Sequence, residues 1–258
     1  MNGTLPKFFQ LKKVDDLIRL GGKNDGGYLV SETDVKTSDI LISFGMGVNW
    51  KFEIDFIKKN NVPLNIYDAS VNKKYFLSLI KNSIIRFYRP SNILFYLKLY
   101  FSYIYFFKNN RKHLEKFVSS NLILSISDKK RYCTIDDVLS DIDNKNIFLK
   151  IDIEGDEYRI LDSILTYQNK LKSLVIEFHN CDLHLSKIKN FINKFNLSLV
   201  HIHANNYTPI SENDNLPLTL EITFSKNFNP SSNDNSLNSK LDMLNSEHRE
   251  PVNLILEK

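Results

Sequence analysis

Two acidic side chains, Asp152 and Glu154, directly follow a mostly apolar run at residues 148–151. An apolar run that ends abruptly in charge is typical of a buried parallel strand, and the carboxyl ends of such strands open into the crevice where α/β proteins bind ligands. We therefore expect Asp152 and Glu154 to border a ligand site. Asp156 and Glu157 come later, and we assign them to the first turn of the next helix, where carboxylates suit the helix dipole.

Two histidines stand at the ends of later predicted strands, at residues 173–179 and 198–203. Imidazole titrates near neutral pH, so a histidine at a strand end is suited to take a proton from a substrate. His179 is the first candidate for a general base and His203 the second, and a structural role is equally open for each. Glu177 lies two residues before His179, so both face the same side of their strand.

A glycine turn at residues 45–47 follows an apolar run at residues 39–44 and precedes a predicted helix at about residues 50–60. A strand, a glycine turn and a helix in this order form the phosphate-binding unit of many nucleotide-binding proteins. The dinucleotide fingerprint has a third glycine three residues after the second, but Trp50 occupies that position. The sequence therefore disfavours an NAD site.

Asp68 ends the next predicted strand, about 20 residues beyond Gly47. An acid at this position is placed to accept hydrogen bonds from the two hydroxyl groups of a ribose. The alternative is a capping role before the next element. Together, the glycine turn and the acid predict a cofactor that contains a nucleoside.

Length and composition predict one domain of ordinary globular type over residues 1–258, with 42% hydrophobic and 25% charged residues. The two cysteines, Cys133 and Cys181, are too few for a disulfide framework, and the first ten residues lack the apolar core of a signal peptide, so we expect a cytoplasmic protein. The net charge of +4 is local, because residues 71–120 carry most of the excess lysine and arginine. This pattern argues against general nucleic-acid binding.

Residues 70–118 interrupt the alternation of strands and helices with a basic stretch that is dense in aromatic residues. As a helix, its longest apolar run, residues 93–107, would be about 22 Å long, short of a ~30 Å hydrocarbon core. Three interpretations stay open: a helical cap over the crevice, a dimer interface, or a segment that lies on a lipid surface. We favour the cap or a homodimer, because aromatic stripes at helical spacing more often pack against protein.

Further elements follow from periodicity. Residues 121–127 predict a third strand, and residues 218–224 predict a seventh strand whose strict alternation suits antiparallel pairing. Residues 11–20 show helical spacing and predict a helix that ends at Gly21. Residues 226–258 form a C-terminal extension that we expect to be partly flexible.

Four stretches together resemble the FkbM-type methyltransferases: residues 25–28, 43–47, 148–157 and 201–206. The resemblance implies a class I methyltransferase fold, which is a Rossmann-like α/β sheet of seven mostly parallel strands with one antiparallel strand, here with an aromatic-rich helical insertion. It also implies S-adenosylmethionine as the methyl donor and a sugar hydroxyl as the acceptor. The overall layout is similar to enzymes that methylate heptoses for capsular polysaccharide, which suggests a nucleotide-linked acceptor such as a GDP-heptose.

The resemblance also assigns roles to single positions. Gly45 and Gly47 would line the methionine and ribose part of the cofactor, and Asp68 would bind the ribose hydroxyls. Ser127 and Asp152 would border the adenine or the sulfonium end. Tyr28 and Phe44 complete the predicted cofactor-binding set. Ser43 stands where many methyltransferases carry a carboxylate, so the cofactor's amino group has no evident partner in the sequence.

Several alternatives remain at the level of the sequence. Asp152, Glu154 or Glu177 could hold Mg²⁺ against the acceptor oxygens, although spacing alone does not assign a metal site. An acid-x-acid pair also occurs in metal-dependent nucleotide-sugar glycosyltransferases, which form the rival enzyme class. A third alternative is a non-enzymatic scaffold that binds a membrane surface through the basic aromatic segment.

Overall fold

The computed structural model describes residues 1–85, 90–120, 130–143, 146–229, 233–234 and 237–257. The helices are α1 (Glu32–Thr37), α2 (Lys51–Lys59), α3 (Lys73–Ile85), α4 (Pro90–Phe106), α5 (Ile135–Leu139), α6 (Leu161–Tyr167) and α7 (Cys181–Lys194). The strands before α5 are β1 (Asn2–Leu5), β2 (Leu11–Lys12), β3 (Leu17–Leu20), β4 (Tyr28–Ser31), β5 (Ile40–Phe44), β6 (Leu64–Tyr67), β7 (Arg111–Leu114), β8 (Phe117–Ser119) and β9 (Tyr132–Thr134). The later strands are β10 (Ile147–Ile151), β11 (Leu171–Phe178), β12 (Ser198–Ala204), β13 (Leu220–Ser225), β14 (Asn233–Asp234) and β15 (Asn253–Leu256).

Seven strands form the central sheet, in the order β12-β13-β11-β10-β5-β6-β7. Strand β13 runs antiparallel to both of its neighbours, and the other pairings are parallel. This sheet confirms the predicted α/β, Rossmann-like architecture with one antiparallel strand. Every residue of β5 and β10 is buried, as expected for central parallel strands that are covered on both faces.

The two faces of the sheet carry separate apolar cores, because side chains alternate along each strand. On one face, Leu149 and Ile151 of β10 join a cluster with α6 and α7. On the other face, Phe148 contacts Phe52 and Phe56 of α2 at centroid distances of 6.1 and 4.9 Å. The central strands are therefore held from both sides, which fixes the height of their carboxyl ends.

The strand that follows β6 in the sheet is β7, whereas the predicted third strand at residues 121–127 lies outside the described residues. Strand β7 pairs in parallel with β6, with Leu64 opposite Arg111. Its sequence has no apolar run because it is an edge strand, and edge strands commonly carry charge. The helical part of residues 70–118 therefore consists of α3 and α4, and the chain then returns to the sheet.

The predicted helix at residues 11–20 is wrong. This segment contains β2 and β3, and β3 pairs with β4 in an antiparallel hairpin. Gly21 begins the turn with φ of +97°, and a Cβ on it would lie 2.3 Å from the carbonyl oxygen of Gly26. The glycine therefore closes a hairpin and does not end a helix.

Helices α3 and α4 pack against each other and present their buried residues to the body of the protein. Phe76, Tyr103 and Phe106 are buried, and the rings of Phe76 and Tyr103 lie 6.0 and 5.9 Å from that of Trp50. In the part of the chain that the structure describes, no helix combines the length and the apolarity needed to cross a bilayer.

Candidate functional site

The site lies at the topological switch point of the sheet, where successive chain connections lead to opposite sides of β5. The chain proceeds from β5 to β6 on one side, and later to β10 on the other side, so the carboxyl ends of β5 and β10 border a crevice. Gly45 follows β5 with φ of +78°, and a Cβ at this position would lie 1.6 Å from the carbonyl oxygen of Asp152. Only glycine allows the two strand ends to approach this closely.

A cavity of about 390 Å³ lies over the glycine turn, and its lining includes Gly45, Gly47, Asp68 and Asp152. Gly47 has φ of +53°, and nothing lies within 4 Å of the place where its Cβ would be. The backbone of the turn is therefore open to a ligand. The volume is within the range of small-molecule sites, roughly 300–1,000 Å³.

Asp68 anchors this turn. Its Oδ2 accepts hydrogen bonds from the backbone N–H groups of Met46 (2.9 Å) and Gly47 (2.8 Å), and its Oδ1 accepts from the N–H (2.7 Å) and hydroxyl (2.6 Å) of Ser70. Burial by itself raises the pKa of Asp68, but these hydrogen bonds outweigh burial and hold the pKa below its ordinary value. An ionised carboxylate offers about four acceptor positions. All four are used here, so a further hydroxyl could bind Asp68 only by replacing the Ser70 hydroxyl.

Glu53 of α2 supplies a buried carboxylate next to Ser43, close to the glycine turn. In the sequence it is only an acid between apolar residues. The hydroxyl of Ser43 donates to Oε1 of Glu53 at 2.6 Å. Glu53 is fully buried, and its Oε2 has no hydrogen-bond partner among the described residues. Lys150 lies 3.9 Å from Glu53 Oε1 and donates to the carbonyl oxygen of Gly45 at 3.0 Å. Burial by itself lowers the pKa of Lys150, but the charges of Glu53 and Asp152 raise it above its ordinary value, so the ammonium stays charged.

Tyr28 connects the carboxyl ends of β10 and β11 through its hydroxyl group. Its hydroxyl lies 3.2 Å from Oδ2 of Asp152 and 3.1 Å from Oε2 of Glu177. Burial, followed by the charges of these two carboxylates, raises the pKa of Tyr28 well above its ordinary value. The phenol therefore keeps its proton and donates a hydrogen bond to one carboxylate at a time.

A second cavity, of about 330 Å³, adjoins the first. Asp25, Asp152 and Glu154 line both cavities. Glu177 and His179 also line the second cavity. Its further lining is supplied by Asn205, Tyr207, Thr208 and Thr219. Within the described chain, no lysine or arginine contributes to this lining, so the second cavity is acidic and rich in hydrogen-bond acceptors.

His179 lies among three carboxylates. Its Nδ1 is 3.1 Å from Oε1 of Glu157, and its Nε2 is 3.6 Å from Glu154 Oε2 and 3.8 Å from Glu177 Oε1. Burial by itself lowers the pKa of His179, but the hydrogen bond to Glu157 and the nearby negative charges raise it to about 9. His179 is therefore an imidazolium at neutral pH. Burial and the charge of Asp152 raise the pKa of Glu177.

Glu157 has a second role in addition to the predicted position at a helix start. It begins a 3-10 turn, Glu157–Arg159, but its carboxylate is fully buried and accepts from the N–H groups of Ile153 (3.2 Å) and Gly155 (3.1 Å). The same oxygen, Oε1, contacts His179. Glu157 therefore shapes the loop after β10 and orients the imidazole. Its spacing in the sequence did not distinguish it from a helix-start acid.

Of the remaining predicted site residues, two lie outside the cavities and one lies outside the described residues. Neither His203 nor Phe44 is among the residues that line the two cavities. His203 Nε2 lies 3.1 Å from Oδ1 of Asn245, and burial lowers its pKa, whereas Phe44 is fully buried in the core. Ser127 lies outside the described residues. Asn205, just beyond β12, does reach the site and donates to Glu177 Oε1 at 2.8 Å.

Asp152, Glu154 and His179 each offer one atom within 4.8 Å of the others, which is close enough to hold one metal ion. A metal ligand must be deprotonated, so binding at this group would first remove a proton from Nε2 of His179. At neutral pH the imidazolium and a metal ion would therefore compete for the same position beside these carboxylates.

No protein-family model matches the chain, and no curated protein matches it. Solved structures do match. The precorrin-6y C5,15-methyltransferase of Geobacter metallireducens GS-15 shares 15% identity at a TM-score of 0.39, over 75% of this chain and 84% of that chain. The METTL16 MTase domain shares 12% identity at a TM-score of 0.39, over 75% of this chain and 64% of that chain.

A third match is M. capricolum TrmK in complex with S-adenosyl-homocysteine, with 15% identity at a TM-score of 0.34, over 76% of this chain and 68% of that chain. These TM-scores are all below 0.5. The assignment of the site therefore rests on the chain's own residues.

Proposed function

We propose that this protein transfers a methyl group from S-adenosylmethionine to a hydroxyl group of a sugar. The observation that carries the proposal is the pair of adjoining cavities at the switch point of the sheet, which share Asp25, Asp152 and Glu154. A donor in one cavity and an acceptor in the other would meet at these carboxylates. This arrangement suits group transfer, which requires two substrates to be held in line.

The first cavity is suited to the methyl donor. The open backbone at Gly47 allows close approach, and Asp68 lies beside it to bind ribose hydroxyls once Ser70 turns away. When bound, S-adenosylmethionine supplies a methyl group on a positively charged sulfonium. The shared carboxylates suit that charge, because opposite charges attract each other.

The second cavity is suited to a neutral, hydroxyl-rich acceptor. Its carboxylate and amide oxygens accept hydrogen bonds, and sugar hydroxyl groups donate them. Its acidic lining would repel a diphosphate. If the acceptor is a nucleotide-linked sugar such as a GDP-heptose for a surface polysaccharide, the sugar would occupy this cavity and the diphosphate would lie outside it.

The roles of the residues follow from their positions. Asp152, held by Tyr28, would accept a hydrogen bond from a neighbouring hydroxyl of the sugar, which orients the sugar in the second cavity and leaves the proton of the acceptor hydroxyl for the base. His179 is the proposed general base, and it can accept a proton only in its neutral form. Glu157 positions the ring through Nδ1, which leaves Nε2 facing the second cavity.

Isothermal calorimetry tests the proposal with S-adenosylhomocysteine and, separately, with a panel of GDP-, UDP- and dTDP-sugars. We expect binding of S-adenosylhomocysteine, and we expect labelled S-adenosylmethionine to yield a methylated sugar detectable by mass. Heat from sugar nucleotides alone would contradict methyl transfer and favour a glycosyltransferase that uses Asp152 and Glu154.

A further inference from the structure

Helices α3 and α4 expose an unusual amount of apolar surface. Of the 15 large apolar side chains exposed in the described residues, eight belong to these two helices. We use the term outer helical face for the surface formed by Leu77, Ile84, Leu94, Phe95, Phe101 and Tyr105. Exposed apolar patches of this kind usually mark an interaction surface.

Each helix contributes a stripe of exposed apolar residues along one side. On α4, Leu94, Phe101 and Tyr105 are 56%, 63% and 76% exposed, and they lie on one side of the helix because their spacing follows its turns. On α3, Leu77 and Ile84 are both 49% exposed and lie two turns apart. A lysine interrupts each stripe at its centre, Lys81 on α3 and Lys98 on α4.

The opposite side of α4 already has its partners. Tyr103 and Phe106 are buried, and the hydroxyl of Tyr103 lies 2.6 Å from Nδ1 of His113 on β7. The other ring nitrogen of His113 lies 2.8 Å from the carbonyl oxygen of Asp68. The helices are therefore fixed to the sheet through their inner side, and the outer helical face remains available to bind a partner.

The charge on these helices has one sign. The sequence of α3 and α4 contains Lys73, Lys74, Lys81 and Lys98 and no acidic residue, and Lys108 lies two residues beyond α4. In a two-fold symmetric dimer, the same surface faces itself. A second copy of this chain would therefore bring lysines against lysines with no acid on the helices to offset them.

An anionic bilayer offers the complementary chemistry. Lysine stems can extend along apolar surface while the ammonium groups stay in the headgroup layer, and apolar side chains between them enter the acyl boundary. Anionic headgroups attract clustered lysines near the surface. We propose that the outer helical face docks this protein on the surface of an anionic bilayer. The inference stands apart from the proposed methyl transfer.

Vesicle co-sedimentation tests the proposal with the full chain. We expect the protein to sediment with vesicles of phosphatidylcholine and phosphatidylglycerol mixed three to one, and to stay in the supernatant with phosphatidylcholine alone. High salt should weaken the binding, because it screens the lysines. Replacing two exposed side chains, Leu94→Asp with Phe101→Asp, should lower the partition coefficient roughly tenfold or more, equivalent to 1.4 kcal/mol.

The matched control is Leu183→Asp, because Leu183 is 74% exposed on α7, outside the outer helical face. This variant should bind vesicles like the unchanged protein, and circular dichroism should show that all three proteins are folded. The proposal fails if the unchanged protein ignores anionic vesicles, or if the double variant binds them equally well. It also fails if the double variant only converts a dimer into a monomer in sedimentation velocity while vesicle binding is absent.

Discussion

His179 shows how one side chain acquires its properties from its neighbours. Three carboxylates, Glu154, Glu157 and Glu177, lie within 4 Å of its ring nitrogens. Burial by itself lowers the pKa of His179, but the hydrogen bond to Glu157 and the charges of Glu157, Glu177 and Asp152 outweigh burial and raise it to about 9. A histidine with its ordinary pKa would be a ready base at neutral pH. Here the same ring would become a base only as pH rises.

This difference predicts the pH dependence of methyl transfer. If His179 is the base, kcat/KM should rise with pH, reach half of its maximum near pH 9 and level off above that pH, because this profile reports the free enzyme and the neutral ring is the active form. His179→Gln should remove this limb and lower kcat by about 10²-fold or more. His203→Gln is the matched control and should keep the limb. An unchanged profile in His179→Gln would exclude His179 as the base.

At the scale of elements, the glycine turn joins the sheet to the first cavity through two glycines with different constraints. Gly45→Ala would bring a methyl group onto the carbonyl oxygen of Asp152, and we expect it to destabilise the fold by several kcal/mol, on the order of 3–5. Gly47→Ala meets open space and should cost only about 1–2 kcal/mol, for its left-handed backbone conformation.

Ligand binding should separate the two variants in a second way. Gly47→Ala should stay folded, yet its methyl group would project into the cavity and weaken S-adenosylhomocysteine binding in calorimetry. Thermal unfolding would supply the stability comparison. Equal stability of the two variants would contradict the close approach of Gly45 to Asp152, and unchanged ligand affinity in Gly47→Ala would place the ligand elsewhere.

The elements also explain what the sequence could predict. Strands β5, β10 and β11 are buried apolar runs that end in charge or glycine, so both their existence and their functional ends were readable. Strand β7 was not, because four mostly polar residues become a strand only by pairing with β6. Strand β3 was mistaken for helix, because a short hairpin strand with half-buried residues can mimic helical spacing.

The site divides in the same way. Asp152, Glu154, Glu177 and His179 come together because they stand at the ends of adjacent strands. Glu53 and Glu157 were missed as site residues, because the contacts that place them in the site join residues that are far apart in the sequence. His203 was predicted from the same strand-end rule, but its ring lies against Asn245 and Asp242 of the C-terminal extension and not in either cavity.

At the scale of the whole molecule, the C-terminal residues support the site from behind. Asn245 donates to Oε1 of Glu221 at 2.5 Å and to Oδ1 of Asp25 at 3.2 Å. Glu221 stands opposite Glu177 in the β11–β13 pairing, and burial, with the charge of Glu177, raises its pKa well above its ordinary value. The chain end therefore helps to accommodate acids that the sheet alone would place against each other.

A second buried acid, Asp34, links α1 to β13 and makes global stability depend on pH. Ser225 donates to its Oδ2, Oδ1 has no hydrogen-bond partner among the described residues, and Lys172 lies 3.8 Å away. Burial raises the pKa of Asp34 to about 6 from 3.8. Because the folded pKa is the higher one, its contribution to stability is fully present below about pH 3.8 and is lost as pH rises through about 6.

Asp34→Asn should therefore be more stable than the unchanged protein at pH 7.5, by roughly 1–3 kcal/mol, because an amide avoids the buried charge and still accepts from Ser225. The difference should shrink toward pH 4.5, where the native carboxyl group is protonated in the folded state. Urea unfolding at the two pH values measures it. Asp162→Asn, at an exposed position on α6, is the matched control and should show no such pH-dependent gain. A loss of stability at both pH values would mean that Lys172 and Asp34 form a net stabilising pair, whose attraction exceeds the cost of burying the carboxylate.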